Sequence, residues 1–365
     1  MEFIALILII LLVIFVQNRI YAKYAFRNFR YTCSFSVSKA TEGDEIEFTE
    51  ELSNAKLLPL PWLKTELSTS KWLEFSGLSS TVTGNTRLVT SFFSVKSYCK
   101  IKRTWKIRCL RRGKFRIENI SVIASDILAN RKLSCFIDMD ELNTEITVLP
   151  GINETDYNVL QNSMTSGDIF VSRQLISDPF FYNGIREYTQ NDPYKAINWL
   201  ASAKEGRLMV NKNDYTTDSS ITVIMNIQSR EADINQAIFE DYIECCIRTS
   251  AACVRASCEQ HIPVRFMCSC CDEERRESME TEYVVDEYGF ESILDTMASI
   301  EYYIYDSFDN YLSNLSGKLD NTQIVVVSSY ISRKMNILAQ EYPNITIITP
   351  SDIQKSINST KEDSQ

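Results

Sequence analysis

The chain has 365 residues, with 38 lysines and arginines against 48 aspartates and glutamates, and only one histidine. At about 100–200 residues per domain, this length accommodates two folded domains. Its 44% apolar content is typical of globular proteins rather than of disordered or fibrous ones. The formal charge of −10 argues against a general nucleic-acid coat protein, and no nucleic-acid partner is predicted.

The N-terminus carries an apolar segment. Phe3 to Val16 contains no charged residue, and residues 1–22 together supply the roughly 20 residues that a membrane-spanning helix requires. A cleaved signal peptide is the alternative interpretation. Against it, Glu2 stands where a lysine or arginine is usual, and no small-x-small cleavage site follows. We therefore predict that residues 1–22 are a retained membrane anchor.

The residues that follow the anchor are basic. No acidic residue lies between Phe3 and Thr41, whereas the lysines and arginines there are Arg19, Lys23, Arg27, Arg30 and Lys39. Because positive charge marks the cytoplasmic side of a membrane segment, we predict a single-pass protein of the cell membrane with its main body in the cytoplasm. The odd number of cysteines, eleven, fits reduced and mostly buried thiols better than a disulfide framework.

Residues 31–150 alternate apolar and polar positions between turn residues, which predicts a small β-sandwich. Strands are predicted at 31–38, 46–52, 91–108 and 114–124. Within this region, Lys96 to Arg116 contains ten lysines and arginines and no acidic residue. That segment is either a solvated strand face or a contact for the phosphates of anionic lipid or nucleic acid. Because stacking aromatics are scarce there, the strand face or weak lipid contact is favoured.

Residues 221–357 alternate strands with helices and predict a doubly wound parallel sheet, giving an α/β domain after the all-β one. Strands are predicted at 221–225, 263–268, 323–328 and 344–348, and helices at 234–260, 290–315 and 333–341. Residues 151–220 are predicted to link the two domains, and residues 358–365 to form a polar tail.

The segment from Glu273 to Asp309 concentrates negative charge. It contains twelve acidic residues and two arginines, so its charge of −10 equals the formal charge of the whole chain. A solvated face is the commoner explanation of such a segment. A docking surface for a basic partner is the alternative.

The sequence lacks the motifs of common catalytic sites. It has no P-loop, no G-x-G-x-x-G, no G-x-S-x-G elbow and no H-E-x-x-H. His261, the single imidazole, follows a predicted helix, where a loop or helix-end position is commoner than catalysis. The cluster Cys268-Ser-Cys270-Cys271 has no second cysteine pair at zinc-finger spacing. We predict no catalytic residue, no metal and no cofactor, and hence a protein that is not an enzyme.

The segment from Ile185 to Asn213 is the most distinctive in the chain. Asp192-Pro193 is a typical helix start and Gly206 a typical helix end, which predicts a helix from Pro193 to about Lys204. Charged and aromatic side chains are predicted to converge around it; this signature cluster comprises Arg186, Glu187, Tyr188, Asp192, Trp199, Lys204 and Arg207. It is either an internal cluster of salt bridges and packing contacts or a functional site.

This segment resembles the pattern of the bacterial domain-of-unknown-function-58 family, approximately R-E-Y-x-x-G-D-x-x-R-x-I-x-W-x-x-S-A-R followed by a Leu-x-V strand. The matching residues are Arg186, Glu187, Tyr188, Asp192, Ile197, Trp199, Ser202, Ala203, Leu208 and Val210. Upstream, Arg111-Arg112-Gly113-Lys114-Phe115 and Ser125-Asp126 resemble two further motifs of that family. The chain departs from the pattern at Asn191, where glycine is usual, at Tyr194 or Lys195, where arginine is expected, and at Lys204, which replaces the last arginine.

The resemblance implies a C-terminal domain similar to von Willebrand factor A domains, and a partner that is an AAA+ ATPase of the MoxR type. Metal-binding A-type domains carry D-x-S-x-S at the end of the first strand. Here the corresponding residues run from Asn226 to Arg230, and neither Gln228 nor Arg230 is a good ligand for Mg²⁺. Partner binding is therefore expected to be independent of metal.

We thus expect a membrane-anchored, non-catalytic adaptor that works with such an ATPase in envelope-related assembly or remodelling. Two alternatives remain open. One is a hydrolase or transferase acting on an envelope precursor, with Asp192 or Glu187 as acid/base. The other is a module that binds anionic lipid through Lys96 to Arg116.

Overall fold

The computed structural model describes residues 2–126, 132–139, 142, 144–166, 177–188, 197–215, 220–271, 278–315, 322–342 and 344–351. The chain divides into two compact units. The first comprises Met1–Gly151 together with Leu294–Ile300, and the second comprises Ile152–Ile293 and Glu301–Gln365. The predicted polar tail at 358–365 lies outside the described residues.

The first helix, α1 (Glu2–Tyr24), is long and apolar enough over Leu6–Tyr24 to span a membrane. Most of its apolar side chains are exposed, which distinguishes it from the core helix of a soluble protein. The guanidinium of Arg19 lies 5.4 Å from the ring centroid of Phe15, and the ammonium of Lys23 lies 5.4 Å from that of Tyr24. Their stems thus follow apolar surface while their charges gather at the C-terminal end of the helix.

The first unit is built from short strands. They are β1 (Phe29–Phe35), β2 (Lys39–Thr41), β3 (Glu45–Asn54), β4 (Leu60–Ser70), β5 (Leu73–Phe75), β6 (Ser79–Thr83), β7 (Thr86–Val95), β8 (Cys99–Cys109), β9 (Gly113–Arg116), β10 (Asn119–Ser125), β11 (Lys132–Phe136) and β12 (Glu145–Leu149). The predicted strand 91–108 is therefore two strands, because Tyr98 adopts a left-handed conformation (φ 53°) in the turn between β7 and β8.

These strands form a β-sandwich-like arrangement. Sheets of order β1-β3-β8-β5 and β11-β10-β4-β7-β6 are antiparallel throughout, and a smaller mixed sheet has the order β2-β12-β9. Burial alternates along β3 and β4, as the period-two pattern predicts for strands with one face on a core. The buried faces share one hydrophobic core. The all-β half of the predicted fold class is thus confirmed in its coarse form.

The basic segment Lys96 to Arg116 runs largely along β8, and β3 beside it is acidic. The register places Lys106 opposite Glu47 and Lys102 opposite Glu51. The ammonium of Lys100 lies 2.5 Å from a carboxylate oxygen of Glu51. Opposite charges on facing strand positions attract, so β3 offsets much of the positive charge of β8. This pairing favours the solvated strand face over a phosphate-binding site.

A fully buried carboxylate, Glu50, organises the polar contacts of this core. It accepts hydrogen bonds from the hydroxyl of Tyr31 at 2.7 Å, the indole N–H of Trp105 at 2.7 Å and the hydroxyl of Thr65 at 3.2 Å. Burial, and then the charge of Glu50, raise the pKa of Tyr31 well above its usual value. The same two causes raise the pKa of Cys33 to about 12, which keeps this thiol protonated and unreactive.

The second unit contains most of the helices. Its elements are α2 (Glu154–Ser166), β13 (Ser177–Glu187), α3 (Trp199–Glu205), β14 (Met209–Tyr215), β15 (Ile221–Met225), α4 (Glu240–Glu259), β16 (Val264–Cys271), β17 (Ser278–Glu280), α5 (Glu287–Ala298, whose last residues belong to the first unit), α6 (Phe308–Leu315), β18 (Gln323–Val327), α7 (Arg333–Glu341) and β19 (Ile345–Ile348).

A five-stranded sheet of order β17-β16-β15-β18-β19 lies at the centre of this unit. Four strands are parallel, but β17 runs antiparallel to β16, so the sheet is mixed and the prediction of an all-parallel sheet was wrong at this edge. Only six residues separate β16 from β17. A parallel return requires a crossover of a dozen or more residues, so this short connection allows only antiparallel pairing.

Two predicted helices are shorter than expected, whereas the helix predicted at 333–341 is confirmed as α7. The helix predicted at 234–260 begins only at Glu240, because residues 231–239 form turns around Asp233. The helix predicted at 290–315 is divided into α5 and α6. Between them, Tyr303 and Ile304 pair in extended bridges with Gln236 and Cys270, and β-branched and aromatic residues favour such extended backbone.

Candidate functional site

The signature segment folds as an antiparallel strand pair, β13 and β14, that encloses the short helix α3. The helix begins at Trp199 rather than at Pro193, so its predicted start was wrong. Asn198 keeps an extended backbone, and its side-chain oxygen accepts the N–H of Ala201 at 3.0 Å, which makes it the N-cap. The predicted end is confirmed, because Gly206 adopts the left-handed conformation (φ 70°) that closes a helix.

A buried serine joins α3 to β14. The hydroxyl of Ser202 donates to the carbonyl of Asn198 at 2.7 Å and accepts the N–H of Met209 at 2.8 Å. Ser202, the serine of the S-A-R motif, therefore accepts the backbone N–H of Met209, which would otherwise be buried without an acceptor after the turn at Gly206. Its role is to hold the local fold.

Most of the described side chains of the signature cluster are exposed, whereas Tyr188 is half-buried. Glu187, Lys204 and Arg207 are exposed, as is Trp199 with 68% of its surface accessible. Asp192 lies outside the described residues, and of Arg186 only the backbone is described, paired with Val210. Glu187, Trp199, Lys204 and Arg207 are therefore accessible to solvent.

One ion pair joins two members of the cluster. A guanidinium nitrogen of Arg207 lies 3.4 Å from a carboxylate oxygen of Glu187, and both side chains are more than half exposed. We expect Arg207→Ala to lower the free energy of unfolding by less than about 1 kcal/mol, because solvent screens such pairs. Urea denaturation of the full chain measures this, with Lys204→Ala as the control. A loss of about 2 kcal/mol or more would contradict a surface role.

The upstream motif Arg111-Arg112-Gly113-Lys114-Phe115 has a structural explanation. The guanidinium of buried Arg111 lies 4.6 Å from the ring centroid of Trp72. Gly113 has a φ of 148°, and a Cβ on it would lie 2.8 Å from the ring of Phe115. Both the backbone conformation and the contact with the ring therefore require glycine at this position.

Arg112 has a further partner within the first unit. One of its guanidinium nitrogens donates to the carbonyl oxygens of Met297, Ala298 and Ile300, at 2.9, 3.2 and 3.0 Å. The last carbonyls of a helix lack partners inside the helix, and a cation there offsets their partial negative charge. Sequence spacing gave no signal of this contact, because the partners are backbone atoms more than 180 residues away.

In the second unit, β15 and β18 are parallel neighbours, and the loops after their carboxyl ends form a topological switch point, here called the crevice. After β15 the chain continues to β16, which is the neighbour of β15 on one side, whereas β18 is its neighbour on the other side. Ligands of open α/β sheets bind at such a switch point. The residues that follow the two strands there are buried and polar: Asn226, Gln228, Ser229, Ser328 and Ser329.

Internal hydrogen bonds occupy the polar groups of this crevice. The side-chain amide of Asn226 donates to the hydroxyl of Ser328 at 3.0 Å. The side-chain oxygen of Gln228 accepts the N–H of Phe308 at 2.8 Å and the hydroxyl of Tyr330 at 3.1 Å, while its amide donates to the carbonyl of Asp233 at 2.9 Å. Gln228 thus connects the loop after β15 to Phe308 and to Tyr330, which follows β18.

Asp233 closes the loop after β15. Its carboxylate accepts the N–H groups of Ser229, Arg230 and Ile238 at 2.9, 3.1 and 3.3 Å, and also the hydroxyl of Ser229. Burial by itself would raise the pKa of this carboxyl, but the hydrogen bonds outweigh it and hold the pKa below its usual value. The sequence analysis did not single out this residue, which directly precedes the helix predicted from Ile234.

The loops after β15, after α5 and after β18 carry exposed apolar residues, here called the rim. It consists of Ile234, Ile238, Tyr303, Tyr305 and Ile331, all at least two-fifths exposed. Backbone hydrogen bonds from Ala237 to Tyr302 and from Ile304 to Asn235 join the two loops that carry four of them. In the described part of the chain, no group of three or more His, Cys, Asp or Glu side chains is arranged to hold a metal ion.

Comparisons with known proteins reveal no family. No protein-family model and no curated protein matches the chain. Among solved structures, similar ones include a non-cellulosomal cohesin from the archaeon Archaeoglobus fulgidus, with 14% identity over 36% of this chain and 96% of that chain, and a TM-score of 0.22. A two-domain fragment of the major pilin SpaD from Corynebacterium diphtheriae has 14% identity over 30% and 50%, with a TM-score of 0.23. The CARDB domain of a Pyrococcus furiosus protein has 11% identity over 34% and 91%, with a TM-score of 0.22. Scores this low carry no argument about function.

Proposed function

We propose that this protein is a membrane-anchored, non-catalytic adaptor whose rim binds a partner protein in the cytoplasm. The observation that carries the proposal is the contrast between the rim and the crevice. The crevice directs its polar groups into its own hydrogen bonds, whereas Ile234, with 80% of its surface exposed, and its neighbours direct apolar groups outward. Contiguous exposed apolar residues mark interaction sites on folded domains.

The N-terminal helix supports the proposed location of the protein at the membrane. α1 is long and apolar enough to span a bilayer, and it leads into the basic residues Arg27 and Arg30. By the positive-inside rule, these charges favour an orientation with both compact units in the cytoplasm. A cytoplasmic partner of the rim is therefore proposed.

The chemistry of the rim favours a basic partner with apolar anchors. Glu231, Glu301 and Asp306 are exposed within the two loops that carry most of the rim. Their charge would attract lysine or arginine on the partner and repel acidic surfaces, while the isoleucines and tyrosines supply the area to be buried. The part of the acidic stretch at 273–277 lies outside the described residues.

The proposed partner class is an AAA+ ATPase of the MoxR type, with envelope-related assembly or remodelling as the process. This step depends on the resemblance of Arg186 to Val210 to the family signature. A mixed α/β sheet with a crevice at the carboxyl ends of its strands supports an A-domain-like interpretation of the second unit. In the crevice, the side-chain oxygen of Gln228 is occupied by hydrogen bonds from Phe308 and Tyr330. This supports partner binding that does not depend on a metal ion.

The experiment is co-purification of the tagged full chain in mild detergent, with and without ATP, followed by mass spectrometry. The test variant is Ile234→Asp with Ile238→Asp, which places two charges in the rim. We expect an AAA+ ATPase with the wild-type chain and at least about a tenfold lower recovery with the variant, because a buried unpaired charge is costly at an interface.

The matched control is Ile337→Asp, the same chemical change at an exposed position of α7 outside the rim. It should leave recovery unchanged. Addition of a chelator should leave recovery unchanged as well. A folded wild-type chain that recovers no ATPase in either nucleotide state would exclude the adaptor proposal. An ATPase that is lost equally from both variants would exclude the rim as its site.

A further inference from the structure

A groove of about 410 Å³ runs along α1 in the first unit. Its walls are the helix residues Leu12, Val16 and Ile20 and, from the loop before β4, Leu58. From Leu12 to Ile20 the helix rises about 12 Å, so the groove is elongated and follows the helix axis. An elongated apolar groove on a helix of this type has the shape and polarity of a site for a hydrocarbon chain.

One lining residue of this groove carries a polar atom without a hydrogen-bond partner among the described residues. Gln17 is one of the lining residues, and its amide nitrogen is buried without a hydrogen-bond partner within the described part of the chain. An unsatisfied polar group costs free energy wherever water is excluded, and a ligand with matching groups removes that cost.

A buried cation lies two residues before Leu58 in the chain. The loop with Leu58 also carries Lys56, and the hydrogen bond from Ala55 to the carbonyl of Asn28 at 3.0 Å joins this loop to the turn between α1 and β1. The ammonium of Lys56 is buried, has no hydrogen-bond partner among the described residues, and lies 5.8 Å from the ring centroid of Phe29. Burial lowers the pKa of Lys56 to about 8.

We infer that this groove binds one anionic phospholipid, with an acyl chain between α1 and Leu58 and the headgroup phosphate beside Lys56. The inference rests on the proposed insertion of α1 into the membrane, and it adds a specific lipid ligand to it. Charge complementarity identifies the occupant. A phosphate supplies the acceptor that the buried ammonium lacks, whereas the amide of Gln17 can donate to the ester carbonyl of the lipid. Four basic residues at 19, 23, 27 and 30 favour the anionic leaflet at this depth.

The test uses the full chain inserted into vesicles of phosphatidylcholine, alone or mixed with phosphatidylglycerol. The chain is released in mild detergent, and native mass spectrometry records which lipid remains bound. We expect phosphatidylglycerol to be retained in preference to phosphatidylcholine. In Lys56→Met, which removes the charge from a side chain of similar length, the preference should fall about fivefold.

The matched control is Lys71→Met, which removes the same charge beyond the far end of β4, about 36 Å along the strand from Leu60. It should retain the wild-type preference. A second readout is the pKa of Lys56, followed by ¹³C NMR after reductive methylation of the lysines. We expect a value of about 8 in phosphatidylcholine alone and a higher value when phosphatidylglycerol is present, because the phosphate stabilises the ammonium.

A carbonate wash of the vesicles distinguishes failure of the anchor from failure of the lipid site. If the wash releases the chain, α1 does not insert, and both the proposed anchor and the lipid site are wrong. If the chain stays inserted but retains both lipids equally, the anchor stands and the lipid site is wrong. The same conclusion follows if Lys71→Met and Lys56→Met reduce the preference to the same extent.

Discussion

Replacing Arg112 with alanine is expected to lower the free energy of unfolding of the first unit by about 3 kcal/mol. The substitution removes the donor of three hydrogen bonds to the carbonyls of Met297, Ala298 and Ile300. Arg112 is 5% exposed, so water cannot replace the lost donor without rearrangement. Hydrogen exchange of peptides from 1–151 and 294–300, with urea denaturation of the full chain, measures the loss.

A control within the same unit is Asp295→Asn, which breaks the ion pair of Asp295 with Lys39. Both of these side chains are more than a third exposed, so this change should cost less than about 1 kcal/mol. Arg112→Lys keeps the charge but shortens the reach to the carbonyls, and we expect an intermediate loss. Equal effects of Arg112→Ala and Asp295→Asn would show that the three carbonyl contacts contribute little.

Replacing Asp233 with alanine is expected to lower the stability of the second unit by about 3 kcal/mol as well. The carboxylate is buried and accepts three backbone N–H groups and the hydroxyl of Ser229. Without the carboxylate, these donors have no acceptor, and the buried loop excludes the water that could replace it. Urea denaturation and hydrogen exchange across residues 226–240 measure the change. Glu231→Ala, an exposed neighbour, is the control and should change stability little.

The contribution of Asp233 also depends on pH. Its pKa in the folded chain is held below the usual value, so the unfolded chain takes up the proton first as the pH falls. The stabilisation is therefore fully present above the unfolded pKa of about 3.9 and is lost as the pH falls through the folded pKa. The difference in urea midpoint between wild type and Asp233→Asn should be large near about pH 6 and should shrink towards about pH 3. A constant difference across this range would contradict the assignment.

The rim and the crevice show how loop geometry determines which residues are available to a partner. Hydrophobic periodicity predicts a helix that begins at Ile234, and such a helix would bury one of its faces against the sheet. The turn around Asp233 instead leaves Ile234 and Ile238 exposed. The partner surface of the proposed function therefore arises where a local hydrogen-bond network overrides the helical pattern.

The signature segment illustrates the limits of a motif. Its residue types predict a cluster, and the Gly206 helix end and the capped short helix follow from local chemistry that any such sequence shares. Whether Glu187 and Arg207 face a core or solvent is set by what packs on β13 and β14. No sequence spacing contains that information.

By itself, the sequence determined the elements with strong local patterns. The apolar run of α1, the alternating strands of the first unit and the apolar strand β15 follow from side-chain hydrophobicity and its period along the chain. The tertiary structure alone decided the partners of the buried charges. Glu50, Arg112 and Asp233 belong to residue types that are usually exposed, yet each is buried where distant or backbone groups form hydrogen bonds with it. The reason is physical: hydrophobic periodicity acts between near neighbours, whereas hydrogen-bond satisfaction depends on which backbone and side-chain groups the folded chain brings within about 3 Å.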